Sequence, residues 1–194
     1  AVSDADIDVL FHGASGAEVE PQRSAVRSVG EHGVFVLTGG PGTGKTTTVL
    51  RMLLMLQRRS ETPLSIRAAA PTGKAAQRLV QALRKGKQHL LDHATQPLPA
   101  DWHQYLDRIP DNEAVTLHRL LGFEPWRNGF SRNARHPIAA DVVVVDEASM
   151  IDLAMLRALL DAVRPDALLI LVGDADQLTS VATGSVLMDL VAAI

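Results

Sequence analysis

Three short runs of apolar residues stand out along the chain, at residues 34–37, 142–145 and 168–172, and residues 65–70 form a weaker fourth. In the three strong runs, apolar side chains do not alternate with polar ones. An uninterrupted apolar run of this length is typical of a strand that is buried on both faces of a parallel sheet. The pattern therefore predicts four strands, three of them in the interior of a sheet.

Apolar residues recur at helical spacing between these runs, over residues 46–59, 74–85 and 152–163. Asp152 is a suitable N-cap for the third helix, and Pro165 follows its end. Strands that alternate with helices of this length indicate βαβ units. The expected fold is therefore α/β, with a mainly parallel sheet and helices on both of its faces.

Two stretches depart from this alternation, at residues 86–113 and 123–140. Both contain prolines and scattered polar residues, so we interpret them as insertions. The main domain is expected to cover residues 33–194, and residues 1–32 are expected to form an N-terminal lead-in.

Residues 39–46 match the phosphate-binding pattern G-x-x-x-x-G-K-[ST] without a mismatch, between the first predicted strand and the first predicted helix. Glycines let backbone N–H groups curl around phosphates, and the helix N-terminus adds a favourable dipole. Lys45 is expected to bridge the β- and γ-phosphates, and the Thr46 hydroxyl to ligate Mg²⁺. The predicted nucleotide-binding residues of this segment are Gly40, Pro41, Gly42, Thr43, Gly44, Lys45, Thr46 and Thr47.

A phosphate loop of this kind needs a carboxylate from a neighbouring strand to hold the metal ion. The run at residues 142–145 leads directly to Asp146 and Glu147, at the edge where ligands gather in open α/β sheets. Asp146 is expected to bind Mg²⁺, directly or through water, and Glu147 to orient and deprotonate the attacking water. The alternative is that the two acids only cap a helix.

Composition narrows the class of protein without identifying a partner. The chain has 194 residues, 46% of them apolar, and no cysteine, so it can bury a core and has neither disulfides nor thiolate metal ligands. Its first residues are acidic, and no apolar run approaches the roughly 20 residues of a membrane span. These features favour a cytoplasmic protein without a membrane partner. The net charge is −3, but residues 1–140 hold 17 of the 19 basic and 13 of the 22 acidic residues, which permits a polyanionic partner.

Five segments, in their order along the chain, resemble the motifs of superfamily 1 DNA helicases: residues 39–46, 70–76, 116–122, 145–150 and 172–178. The similarity is closest to the RecD family, the alpha subunits of bacterial exonuclease V (RecBCD). This resemblance implies a RecA-like P-loop domain that uses ATP and Mg²⁺. It further implies a 5′–3′ DNA helicase in double-strand-break repair and recombination, with single-stranded DNA and the beta and gamma subunits as partners.

The resemblance also implies roles for single residues. Gln22 matches a glutamine that reads the adenine edge, and Gln177 matches one that contacts the γ-phosphate and the attacking water. Two motifs that contact single-stranded DNA are matched by Pro71, Thr72, Lys74, Thr116, His118 and Arg119. On the residues alone, Lys74 could instead be a solvated helix lysine, and His118 a buried histidine with satisfied hydrogen bonds.

Two other functions stay open at this point. The chain could be a P-loop ATPase of another kind, which has no use for DNA contacts at Lys74. It could also be a docking module that joins partner subunits without acting on DNA. A docking module with a dead site is disfavoured, because the nucleotide-site residues are all retained: Lys45, Thr46, Asp146, Glu147 and Gln177.

The resemblance leads to a prediction about the isolated chain. Superfamily 1 motors close ATP between two RecA-like domains, and the second domain supplies arginines that stabilise the charge of the transition state. Residues 1–194 contain no motifs of that second domain. We therefore expect the isolated chain to bind nucleotide weakly, to hydrolyse it barely and not to unwind duplex DNA. A DNA-stimulated ATPase assay checks this, and robust turnover would contradict it.

Overall fold

A five-stranded parallel sheet organises the part of the chain that the computed structural model describes, residues 2–30, 33–40, 44–93 and 96–174. The strands are β1 (Val34–Thr38), β2 (Ile66–Ala70), β3 (Val115–Thr116), β4 (Phe123–Glu124), β5 (Gly129–Phe130), β6 (Val142–Val145) and β7 (Leu168–Gly173). Across the main sheet their order is β1-β7-β6-β2-β3, and all neighbours are parallel. The four predicted strands are confirmed, and the short edge strand β3 is an addition.

The periodicity predicts three helices, over residues 46–59, 74–85 and 152–163, and all three are confirmed. The described residues form seven α-helices. They are α1 (Asp4–Leu10), α2 (Glu20–Ser28), α3 (Lys45–Arg59), α4 (Gly73–Leu91), α5 (Ala100–Asp107), α6 (Leu117–Leu120) and α7 (Leu153–Ala162). The N-cap predicted for α7 is confirmed, because an Asp152 carboxylate oxygen accepts from the Met155 N–H at 2.7 Å. Every helix among the described residues is too short or too polar to cross a membrane.

Alternate residues of the central strands reach two different cores. Val142 and Val144 of β6 pack with residues of α1 to α5, whereas Val143 and Val145 pack with residues of α6 and α7. All residues of β6 and β7 are buried. This explains why both strands are apolar without alternation, and it confirms helices on both faces of the sheet.

The helix α4 extends beyond its predicted end at residue 85 and reaches Leu91. Gly86 and Leu90 are both buried on it, and an added Cβ at Gly86 would lie 2.9 Å from a methyl carbon of Leu50 in α3. The glycine that seemed to begin an insertion is therefore a point of close approach between two helices. Tertiary packing here outweighs the low helix propensity of glycine.

The N-terminal lead-in shares the core of the main domain. Ile7, Leu10 and Val26 of α1 and α2 are fully buried in the same cluster as the apolar residues of α3. Arg23 is buried as well, and its guanidinium contacts the Asp8 carboxylate at 2.6 Å. Residues 123–130, within the second predicted insertion, form an antiparallel hairpin of β4 and β5.

A buried amide provides a test of the packing between α3 and the strand that follows it. Gln57 is fully buried; its Nε2 donates to the Leu64 carbonyl at 2.9 Å, and its Oε1 accepts from the Leu64 N–H at 3.1 Å. Gln57→Ala removes the amide from both hydrogen bonds and leaves the Leu64 N–H and carbonyl without these partners, so we expect the free energy of unfolding to fall by about 2–3 kcal/mol. Chemical denaturation measures this loss. The exposed Gln81 of α4 is the matched control, and equal losses for Gln57→Ala and Gln81→Ala would contradict the interpretation.

Candidate functional site

The predicted phosphate loop lies between β1 and α3. Gly44 precedes the helix with φ 74° and ψ 27°, a left-handed conformation that favours glycine. Within the described residues, no side chain caps this end of α3, so the N-terminal N–H groups and the helix dipole form a site suited to an anion. Gly40 is part of this loop, whereas Pro41, Gly42 and Thr43 lie outside the described residues.

Lys45 is the first residue of α3, and its side chain folds back over the loop. The Nζ atom donates to the Gly39 carbonyl at 2.6 Å and to the Gly40 carbonyl at 3.5 Å. Thr46 and Thr47 follow in the same turn and are half-buried. The Lys45 ammonium group can exchange these carbonyl oxygens for the phosphate oxygens of a ligand with little movement. Carbonyl and phosphate oxygens are both hydrogen-bond acceptors, and both would lie at the same loop.

An open cavity of about 520 Å³ lies between α2, β1 and the start of α3. Gln22 and Lys45 both line it, so the residue predicted to read adenine and the residue predicted to bind phosphate share one cavity. Its volume lies within the roughly 300–1,000 Å³ of small-molecule sites. No sequence pattern identifies the other residues of the lining, among them Pro21, Ser24, Ser28, Phe35 and Thr48.

The amide of Gln22 is engaged with the turn that precedes its own helix. When its nitrogen faces the available acceptors, it donates to the carbonyls of Val19 at 2.9 Å and Glu18 at 3.2 Å. At least one of these contacts would have to be exchanged before that nitrogen could donate to a base.

Asp146 follows β6, and its carboxylate is largely withdrawn from water. Burial raises the pKa of Asp146, while the Glu147 N–H that donates to its Oδ1 at 2.9 Å and the positive charge of Lys45 act to lower it. The positive charge of Lys45 thus acts on this carboxylate, although β7 lies between β6, which leads to Asp146, and β1, which leads to the phosphate loop. The two groups that the phosphate site requires are thus brought together.

Glu147 has an unusual backbone. Its φ of 54° and ψ of 41° are left-handed values that are uncommon for a residue with a side chain. It precedes a short 3₁₀ turn, Ala148–Met150, and its side chain does not cap that turn. The capping alternative therefore fails for Glu147, and a conformation of this kind recurs at functional sites.

The strand β7 ends between β1 and β6. Its Gly173 pairs with Thr38, so the segment after β7 starts beside the phosphate loop. Gln177 lies outside the described residues, and its role stays a prediction.

The two segments predicted to contact DNA are neighbours at the same edge of the sheet, since Ala70 of β2 pairs with Thr116 of β3. Thr72 caps α4, and its hydroxyl oxygen accepts from the Ala75 N–H at 3.2 Å. Thr116 caps α6 in the same way, accepting from the Arg119 N–H at 3.3 Å. Because each hydroxyl oxygen acts as an acceptor in these caps, its O–H group can still donate a hydrogen bond to a ligand.

The charged and aromatic side chains of these segments are accessible. Lys74, His118 and Arg119 are exposed, and Pro71 is half-buried. The alternative of a buried histidine is therefore wrong for His118. Its ring lies edge-on to Phe123, with 5.3 Å between the ring centres.

A second cavity, of about 250 Å³, joins these two segments to the chain that follows Glu147. We name it the methionine cavity; it is lined by Pro71, Thr72, Leu117, His118, Met150, Ile151, Asp152 and Met155. Sequence reasoning missed the contribution of residues 150–155. Their spacing carries no signal for it, because the cavity exists only where β2, β3 and β6 end side by side.

Three features define a nucleotide-binding P-loop domain: a glycine loop at a helix N-terminus, a lysine whose charge acts on a half-buried carboxylate, and a cavity that Gln22 and Lys45 both line. Comparison with known families agrees, since the AAA domain model matches residues 22–183. The chain belongs to the AAA domain family.

Curated relatives extend the comparison. The chain is 47% identical over 178 residues to RecBCD enzyme subunit RecD of Mycobacterium tuberculosis (strain ATCC 25618 / H37Rv), covering 89% of this chain and 28% of that protein. It is 42% identical over 169 residues to RecBCD enzyme subunit RecD of Haemophilus influenzae, covering 87% and 26%. It is 36% identical over 171 residues to the ATP-dependent RecD2 DNA helicase of Deinococcus radiodurans, covering 88% and 19%. The resemblance to the RecD family is confirmed, and the chain spans less than a third of the length of these relatives.

The raised pKa of Asp146 predicts how stability depends on pH. Because the folded-state pKa lies above the ordinary value of 3.8, the ionised carboxylate destabilises the fold at neutral pH; this cost disappears at pH values below 3.8, where the group is protonated in both states. We expect Asp146→Asn to stabilise the ligand-free chain at neutral pH, with a gain that shrinks as the pH falls through the folded-state pKa. Chemical denaturation at several pH values measures it.

The matched control is Asp161→Asn, at an exposed position of α7. A gain at Asp146 that is independent of pH, or an equal pH dependence in both variants, would show that the burial of this carboxylate is not the cause.

Proposed function

We propose that this chain is the ATP-binding motor domain of a DNA helicase, which couples ATP hydrolysis to movement along single-stranded DNA. One observation carries the proposal: the nucleotide site and the candidate DNA surface lie at the same edge of one parallel sheet. A single segment, residues 146–152, leads from the first to the second. The 5′–3′ direction of movement follows from the family resemblance alone.

In the proposed nucleotide site, adenine occupies the cavity beside Gln22, and the phosphates lie at the N-terminus of α3. Lys45 exchanges its contact with the Gly39 carbonyl for oxygens of the β- and γ-phosphates. Glu147 orients the attacking water and accepts its proton. Gln177 contacts the γ-phosphate and the same water, as the resemblance implies.

Thr46 and Asp146 are the residues that would hold Mg²⁺. A hydroxyl and a carboxylate are oxygen donors of the kind that Mg²⁺ prefers, and the buried carboxylate of Asp146 would gain a compensating positive charge. When bound, the ion neutralises charge on the phosphate oxygens.

On the DNA side, Lys74 and Arg119 supply positive charge, and Thr72 and Thr116 supply hydroxyl donors. These groups suit contacts with phosphates, which position a strand without reading its sequence. Pro71 and His118 complete the surface between them. Single-stranded DNA is therefore the proposed polymeric substrate.

The names of the relatives suggest the setting. Two of the relatives compared above are subunits of a RecBCD enzyme, and the third is an ATP-dependent DNA helicase. We therefore propose that the full-length protein assembles with subunits of the beta and gamma type and acts in double-strand-break repair and recombination in the cytoplasm. A second RecA-like domain, outside residues 1–194, would complete its ATP site.

Two substitutions in the full-length protein test the two halves of this proposal separately. Lys45→Ala is expected to lower the rate of ATP hydrolysis by at least about 100-fold and to leave nucleotide-free binding of single-stranded DNA unchanged. Lys74→Ala is expected to weaken DNA binding and to retain DNA-independent ATP hydrolysis. The slope of the logarithm of DNA affinity against the logarithm of salt concentration should decrease by about the amount that one phosphate contact contributes. ATPase assays and DNA titrations at several salt concentrations measure both.

Lys85→Ala is the matched control, because Lys85 is exposed on the same helix as Lys74 but three turns further along. Unchanged DNA affinity in Lys74→Ala would favour another kind of P-loop ATPase. Unchanged hydrolysis and unwinding in Lys45→Ala would favour the docking module.

A further inference from the structure

The methionine cavity has the size of a site for one flat ring system. Its volume of about 250 Å³ is below the roughly 300–1,000 Å³ of sites that enclose whole small molecules. Met150 contributes to its wall although 57% of this residue is exposed. Methionine side chains are flexible and polarisable, and they make favourable contacts with aromatic rings.

His118 also lines this cavity, and its ring is held in place. His118 contacts Phe123 edge-on at 5.3 Å and Phe130 at 6.0 Å, measured between ring centres. These two contacts restrict the histidine ring while it remains exposed toward the cavity that it lines. A ring in this position can stack against a base, an interaction that tolerates any sequence because every base has a π-face.

The electrostatics inside the cavity disfavour a phosphate. Asp152 is part of the lining, and its Oδ1 accepts from the Met155 N–H at 2.7 Å. A second anion would be repelled there, and the remaining lining is largely apolar. A neutral, flat and partly apolar group is the better occupant.

Positive charge lies outside the cavity. Lys74 follows the lining residue Thr72, Arg119 follows His118, and Arg78 lies one turn further along α4. All three are exposed, and none forms a salt bridge with another residue that the structure describes. Exposed cations next to a largely apolar cavity complement a DNA strand, in which the phosphates are charged and the bases are neutral.

We propose that the methionine cavity binds one nucleobase of the single-stranded DNA, between Met150 and His118, while Lys74 and Arg119 bind the flanking phosphates. This inference rests on the proposed function. The sequence motifs predicted that these segments contact single-stranded DNA, and the inference adds that one base of the DNA is bound in the cavity. Met150 is thereby assigned a role in positioning DNA.

The test compares two probes in the nucleotide-free full-length protein: a single-stranded oligonucleotide, and an oligonucleotide of the same length in which every residue is abasic. Met150→Ala is expected to weaken binding of the normal oligonucleotide roughly fivefold or more and to leave binding of the abasic one unchanged. Lys74→Ala is expected to weaken binding of both by the same factor. Met150→Leu, which restores the volume of the side chain, should recover most of the loss.

Leu153→Ala is the matched control, because Leu153 is a similarly exposed apolar residue, 54% accessible, that does not line the cavity. It should leave binding of both oligonucleotides unchanged. If Met150→Ala weakens binding of both oligonucleotides equally, or of neither, the base site is wrong.

The outcomes also separate this proposal from the one on which it rests. If Lys74→Ala weakens DNA binding and Met150→Ala does not, only the base site fails. If neither does, the proposed action on DNA fails as well. If Met150→Ala and Leu153→Ala both release a partner subunit and leave DNA affinity intact, the surface is a protein interface, and the base site is overturned.

Discussion

The burial of β6 and β7 on both faces of one parallel sheet is the constraint on which the rest of the structure depends. Because all strands of this sheet run in the same direction, their C-terminal ends meet at one edge. The phosphate loop, the Asp146–Glu147 pair, the turn at Thr72 and the turn at Thr116 all follow such ends. Two apolar cores, one on each face, hold the strands in register and thereby fix these polar segments relative to one another.

This arrangement has an electrostatic cost at the site. Asp146 is placed at the end of a fully buried strand, so its carboxylate loses much of its hydration, and its pKa rises. Lys45, the first residue of α3, offsets part of that loss, although the strand that precedes it, β1, is not adjacent to β6. A ligand that brings positive charge to Asp146 and negative charge to Lys45 would relieve both groups, which is the behaviour expected of a site prepared for a metal–nucleotide complex.

The two sites are physically continuous. Asp146 and Glu147 follow β6 at the sheet edge that also carries the phosphate loop, the 3₁₀ turn Ala148–Met150 comes next, and Met150 to Asp152 line the methionine cavity. The strained backbone of Glu147 begins this connection. A change at the carboxylates therefore has a short covalent route to the candidate DNA surface, in addition to any route through the segment after β7.

The sequence by itself determined the class of fold, the phosphate loop and the acidic pair, because each depends on residues that are close together in the chain: an apolar run, a glycine pattern, and two acids directly after a strand. It misjudged α4 at Gly86, where a contact with Leu50 decides that the helix continues. It carries no signal for the residues that line the cavity around Gln22, or for the contribution of Met150 to the methionine cavity. Those features join elements that are far apart along the chain, and only the order of strands in the sheet brings them together.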